Sequence, residues 1–256
     1  MLRRSVRQVL TGTTLTLVTV LCALAMLVGC AQQSQTTKTA ESSSQSQTES
    51  TQAESTQKEP TASKEEQERA NAIAKEHLDV AAAQEPAVTK DLQAYEDDQA
   101  KLVSLDHRFK SQESLARKIL LNAHTEEISL EEAADDINDV LRYTMCVEPG
   151  VYVSKATDML KGLEAKGYTV VQFKNKWGGD LYKGLNTLIK APSGIVFELQ
   201  FHTPDSYKVY NETHQYYEIA RAEDSTEEQV EEANRKRREL NEGLAVPEGA
   251  LEFKWE

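Results

Sequence analysis

The sequence predicts an α+β domain in which a mixed β-sheet is flanked by helices. A strand, a helix and a second strand follow one another between residues 140 and 173, an order that implies a parallel strand pair with a right-handed connection. Two more strands, at 185–190 and 195–202, are separated by Ala191-Pro192-Ser193-Gly194, whose proline and glycine are typical of a turn. These strands predict an antiparallel hairpin, so both kinds of pairing share one sheet.

Start signals and apolar faces predict the helices. Two helices are expected upstream of the sheet, at 64–83 and at 88–105, the second following Glu85-Pro86. The helix between the first two strands ends at Gly167, and its apolar face is formed by Val153, Ala156, Leu160 and Leu163. Capping residues of the serine or threonine type mark four further helix starts. They are Ser111, Ser129, Thr203 and Ser225-Thr226.

The first thirty residues have the layout of a bacterial export signal. Met1 to Arg7 are cationic, and the stretch from Leu15 to Val28 is apolar. Leu27-Val28-Gly29-Cys30 resembles the lipobox of bacterial lipoproteins, which implies a signal peptide at 1–29 and a lipid on Cys30 that tethers the chain to the extracytoplasmic face of a membrane. The alternative is an uncleaved signal anchor.

The segment that follows Cys30 predicts a flexible stalk. Residues 30–64 are rich in Gln, Ser, Thr, Glu and Lys and contain essentially no large apolar residue, so they cannot bury enough surface to offset the entropy of ordering. The folded domain is therefore expected at 65–256. With Cys22 in the signal peptide and Cys30 lipidated, Cys146 is the one cysteine left, which excludes a disulfide framework within one chain.

Net charge limits the partners. The formal charge of −13 argues against nonspecific binding to duplex nucleic acid, which depends on Lys and Arg that neutralise phosphates. It remains compatible with a small phosphate pocket. Four basic residues near the predicted helix start at Ser111 suit such a pocket, although an ordinary helix surface is the competing interpretation. They are Arg108, Lys110, Arg117 and Lys118.

Carboxylates near the strands suggest a metal site. Alternation along the strand at 195–202 places Glu198, Gln200 and His202 on the face opposite the apolar residues, where a solvated strand face is the simpler interpretation. Asp139 directly precedes the first strand, and the simpler interpretation is that it is only a turn residue. Asp139 and Glu198 together could share one Mg²⁺, which prefers hard oxygen ligands.

A glycine-containing loop at 177–184 offers aromatic side chains for stacking on a base. Its glycines permit close approach of the backbone to a ligand. A packing role for Trp177 is at least as well supported as a role in stacking.

Taken in order, segments between about residues 86 and 221 resemble the nucleotidyltransferase-type domain of the RelA/SpoT alarmone synthetases. Five matches in the same order carry the resemblance. They are Arg108-Phe109-Lys110 with Ser114 and Lys118, Asp139-Val140-Leu141, the loop from Tyr182 to Thr187, the strand from Glu198 to Thr203, and His214 within a helix.

The resemblance implies Mg²⁺-dependent transfer of pyrophosphate from ATP to the ribose 3′-hydroxyl of a guanine nucleotide. Asp139 and Glu198 would hold the metal, Gln200 would orient the site, and Tyr182 would stack on the acceptor base. The resemblance also implies that Arg108, Lys110 and Lys118 bind the donor phosphates. It further implies that Lys183, His202 and His214 bind the substrates.

Three departures from the family pattern leave other functions open. Arg142-Tyr143-Thr144 stands where the family has Gly-x-Arg, Asn186 replaces the histidine of the loop, and His202 stands where arginine is common. One alternative is a noncatalytic lipoprotein that binds nucleotide or phosphate. Others are a toxin-like effector that acts on nucleotides or RNA, and a purely structural protein.

Overall fold

A computed structural model describes residues 62–222 and 224–255, which all fall within one compact unit. The predicted signal peptide, Cys30 and all but the last three residues of the predicted stalk lie outside the described residues. Across the described ranges, no helix has both the length and the apolar character needed to cross a bilayer.

The first helix, α1 (Lys64–Gln93), continues through Pro86. The prediction of two helices at 64–83 and 88–105 is therefore wrong. Proline within a helix costs about 3 kcal/mol, but apolar side chains are buried on both sides of it, Ile73 before and Leu92 after. Tertiary packing along the whole helix outweighs the local cost, and the chain beyond α1 forms strand β1 (Ala100–Val103) instead.

The sheet has five strands in the order β1-β2-β5-β4-β3, and the predicted mixed sheet with flanking helices is confirmed. Strand β2 pairs in parallel with β5, and all other neighbours are antiparallel. The strands after β1 are β2 (Arg142–Val147), β3 (Thr169–Asn175), β4 (Leu185–Lys190) and β5 (Val196–His202).

The predicted hairpin of β4 and β5 is confirmed, but the predicted pairing of β2 with β3 is wrong. Both β5 and β4 lie between those two strands. The reason is burial: most residues of β5 are buried on both faces, so this strand needs a neighbour on each side. Strand β3 is largely exposed and occupies an edge of the sheet.

Four of the remaining helices begin at the serine or threonine caps that the sequence predicts, and the fifth follows strand β2. The side chains of Ser111, Ser129, Thr203 and Thr226 all accept hydrogen bonds from the first turn of their helices. Gly167 has a φ of +88°, a left-handed conformation that suits glycine at a helix end. These helices are α2 (Gln112–Glu126), α3 (Leu130–Asp135), α4 (Tyr152–Ala165), α5 (Pro204–Arg221) and α6 (Glu227–Glu242).

The main core covers one face of the sheet. Tyr143 and Met145 of β2 and the alternate residues Phe197, Leu199 and Phe201 of β5 are buried there, together with apolar residues of α4 and the second half of α1. A second core joins the first half of α1 to α2 and α3. The opposite face of β2 and β5 is left to polar side chains.

Candidate functional site

The parallel register of β2 and β5 assembles the polar face. Arg142 lies opposite Glu198, and Thr144 lies opposite Gln200. Upstream, the chain around Phe109 forms a bridge to Leu141, with a hydrogen bond of 3.0 Å from the Lys110 amide to the Val140 carbonyl. This bridge brings Lys110 beside Asp139, which precedes β2.

Asp139 lies between two ammonium groups. Lys110 Nζ is 2.9 Å from one carboxylate oxygen, and Lys118 Nζ is 2.9 Å from the other. Burial raises the pKa of Asp139, but the charges and hydrogen bonds of the two lysines outweigh that effect and hold its pKa below the ordinary value. The sequence prediction that Lys110, Lys118 and Asp139 belong to one site agrees with this geometry.

Glu198 belongs to the same electrostatic cluster. Its carboxylate accepts hydrogen bonds from Gln200 Nε2 at 2.9 Å and from Asn186 Nδ2 at 3.3 Å. Its pKa is raised, first by burial and then by the negative charge of Asp139, while the charge of Arg142 opposes the shift. The two carboxylates expected to share a metal therefore act on each other. In the described ranges, no group of three or more His, Cys, Asp or Glu side chains is arranged to bind a metal ion.

Arg142 is a basic residue that sequence reasoning did not assign to the site. Its side chain is half-buried, and among the described residues it makes no hydrogen bond or ion pair. It lies opposite Glu198 in the strand register, and its charge lowers the pKa of that carboxyl. The sequence analysis did not predict the pairing of β2 with β5. Since only that pairing places Arg142 beside Glu198, the residue could not be assigned to the site from the sequence.

Arg108 is held elsewhere. Its Nε donates to the Glu85 carboxylate at 2.7 Å, and its guanidinium also donates to the Leu105 carbonyl. Glu85 is itself buried on α1. In the described part of the chain, Arg108 therefore bonds to α1 and its own turn rather than to Asp139.

Tyr182 and His202 form a hydrogen-bonded pair under α5. The Tyr182 hydroxyl lies 2.5 Å from Asn186 Oδ1 and 2.9 Å from His202 Nε2, and His202 Nδ1 lies 2.9 Å from Ser206 Oγ. The imidazole has no exposed surface, and burial lowers its pKa to about 3. A Cβ on Gly184 would lie 3.0 Å from the Tyr182 hydroxyl, so this glycine permits the close approach.

The other predicted binding residues are scattered. Trp177 is completely buried and packs edge-on against Tyr152, with ring centroids 5.2 Å apart. The packing role of Trp177 is therefore confirmed, and the alternative interpretation that it stacks on a base is wrong. Lys183 Nζ donates to the Trp177 carbonyl at 3.3 Å. His214 is exposed on α5, with Nε2 3.6 Å from a carboxylate oxygen of Glu218.

Several solved structures resemble this chain. The complex of the Type VI effector Tas1 with its immunity protein is 20% identical, with a TM-score of 0.42 and coverage of 71% of this chain and 97% of that one. Small alarmone synthetase 1 from Bacillus subtilis bound to pppGpp is 16% identical, with a TM-score of 0.42 and coverage of 70% and 92%. A GTP pyrophosphokinase family protein from Streptococcus pneumoniae is 14% identical, with a TM-score of 0.39 and coverage of 71% and 91%.

These TM-scores and identities are too low for the likeness to carry an argument. No family model matches the sequence, and no curated protein matches it at a significant level.

The buried imidazole of His202 predicts a pH-dependent stability. The unfolded chain binds a proton on this residue near pH 6.5, whereas the folded chain does so only near its lowered pKa of about 3. The contribution of His202 to the free energy of unfolding is therefore fully present above pH 6.5 and is lost as the pH falls towards 3. We expect a loss of about 2 kcal/mol of unfolding free energy between pH 7 and pH 5, measured by urea denaturation.

His202→Gln should flatten this dependence. The matched control is His107→Gln, because the His107 side chain is 81% exposed and should leave the dependence as in the wild type. Identical slopes for the wild type and His202→Gln would contradict the buried, neutral imidazole.

Proposed function

We propose that residues 65–256 carry a phosphate-transfer site of the RelA/SpoT type, which moves pyrophosphate from ATP to the 3′-hydroxyl of a guanine nucleotide or a related acceptor. The observation that carries the proposal is that Lys110 and Lys118 both contact the Asp139 carboxylate, while Arg142 lies opposite Glu198 on the strand that follows Asp139. Phosphoryl transfer depends mainly on positioning and on stabilisation of phosphate charge, and this cluster supplies both.

The donor phosphates would bind on the lysine side of the cluster. Lys110 and Lys118 both reach the Asp139 carboxylate, so both ammonium groups already lie at one point. A polyphosphate chain that carries several negative charges competes well for such lysines. Arg108 would join them only by releasing Glu85.

Asp139 and Glu198 would be the protein ligands of one Mg²⁺ ion. Asp139 and Glu198 offer hard oxygen ligands, and the charge of Asp139 raises the pKa of Glu198, a repulsion that a divalent cation between them would relieve. Mg²⁺ bound by one or two carboxylates and by phosphate oxygens would neutralise charge on the donor.

Glu198 is suited to accept the proton of the acceptor hydroxyl. Hydrogen bonds from Gln200 and Asn186 orient its carboxylate towards one side of the site. The acceptor oxygen would bond to the β-phosphorus of ATP as the bond from that phosphorus to the oxygen of the α-phosphate breaks and AMP leaves. We place the acceptor base beside Tyr182, whose hydroxyl is fixed by Asn186 and His202.

The purified full chain in detergent should produce AMP and a pyrophosphorylated acceptor from ATP, Mg²⁺ and GTP or GDP. Glu198→Gln should lower the rate by roughly 10²- to 10⁴-fold, the usual contribution of a general base. Glu212→Gln is the matched control, because this exposed glutamate on α5 makes only a long ion pair of 3.9 Å with Lys208. Equal rates for the wild type and Glu198→Gln would contradict the proposal.

A noncatalytic binding module is the second candidate. Both oxygens of Asp139 are already occupied by lysine ammonium groups, and Arg108 is held by Glu85, an arrangement that suits binding as well as it suits turnover. Nucleotide binding by the wild type without AMP formation would favour this candidate.

We also propose that Cys30 is lipidated and anchors the domain on the extracytoplasmic face of a membrane. The support is the cationic and apolar leader that ends in Leu27-Val28-Gly29-Cys30. Cells that express the full chain should incorporate labelled palmitate into it, and Cys30→Ser should abolish both the label and sedimentation with membranes. Cys146→Ser is the matched control and should keep both. Equal labelling of Cys30→Ser would contradict the anchor.

A further inference from the structure

Arg142 is a charged group without a partner inside an otherwise paired cluster. Lys110 and Lys118 are each bonded to Asp139, whereas the half-buried Arg142 guanidinium makes no hydrogen bond or ion pair with any side chain or carbonyl in the described ranges. Its nitrogens are not among the buried atoms that lack a partner, so solvent reaches them and they are available to an anion that enters the site.

The surroundings of Arg142 point to the chemistry of that ligand. Arg142 lies opposite Glu198 in the parallel register of β2 and β5, and Asp139 with its two lysines lies just before β2. On the α5 side, it acts on the Tyr210 phenol. Arg142 therefore lies beside Glu198, on the strand that directly follows Asp139 and the two lysines that contact it.

Positive charge exceeds negative charge in this cluster. Lys110, Lys118 and Arg142 face Asp139 and Glu198, whereas Arg221 at the end of α5 is paired with Glu218 and adds nothing to the excess. The excess favours an anion with several charges. A guanidinium presents paired N–H donors in one plane, which match two oxygens of one phosphate group.

We infer that Arg142 binds oxygens of the pyrophosphoryl group, in addition to the two lysines at Asp139. This inference rests on the proposed function for its placement of the donor, and it assigns a role to a residue that the RelA/SpoT pattern does not predict. The recognised class is the oligophosphate anion. Inorganic pyrophosphate should therefore bind the site on its own.

The test is calorimetric titration of the full chain in detergent with inorganic pyrophosphate. Arg142→Gln should weaken binding by roughly tenfold or more, because it removes a charged hydrogen-bond donor. Arg142→Lys should weaken binding less than Arg142→Gln, since it keeps the charge but loses the planar pair of donors. Arg238→Gln, on the exposed surface of α6, is the charge-matched control and should bind as the wild type does.

Thermal unfolding separates a binding role from a structural one. Arg142→Gln should unfold at the wild-type temperature or higher, because the side chain has no partner to lose. The inference is overturned if the wild type does not bind pyrophosphate, if Arg142→Gln binds it as tightly as the wild type, or if Arg142→Gln and Arg142→Lys both unfold at clearly lower temperature. Pyrophosphate binding that depends on Arg142 without AMP formation would support the inference while the proposed transfer fails.

Discussion

The parallel pairing of β2 with β5 is the constraint on which the site depends. It places Arg142 beside Glu198 and Thr144 beside Gln200, and it leaves Asp139 where the chain enters the sheet. The same pairing buries Tyr143 and Phe197 on the other face, edge-on with centroids 5.7 Å apart. Core and site are therefore two faces of one strand pair, and a shift of register by one residue would exchange them.

Local signals in the sequence were enough for most elements of the fold. The caps at Ser111 and Thr203 and the turn at Pro192 depend on neighbours only a few residues apart, so they can be read directly. Pro86 misled the prediction because packing far from the proline decides the course of α1. The partner of β2 was also missed, since the burial of β5 on both faces involves hydrophilic side chains such as Gln200 and His202 that sequence patterns assign to solvent.

In the site, too, some residues could be predicted from the sequence and others depended on strand pairing. The sequence predicted Lys110, Lys118, Asp139 and Glu198 as site residues. In the structure both lysines contact Asp139, and Glu198 lies on the strand next to β2. Their role in a site stays a prediction. Arg142 was seen only as a departure from the family pattern, because its role depends on the neighbouring strand. A chain with a formal charge of −13 thus holds a local excess of cations, which net charge could not reveal.

The central claim is that Asp139 and Glu198 act on each other within one cluster. The most direct measurement is the pKa of Glu198, followed by carboxyl ¹³C chemical shifts in the wild type and in Asp139→Asn. We predict a pKa above the ordinary value of 4.5 in the wild type, because burial and then the negative charge of Asp139 raise it, and a lower pKa in Asp139→Asn, in which only the effect of burial is left to raise it. An ordinary pKa that does not respond to Asp139→Asn would contradict the account.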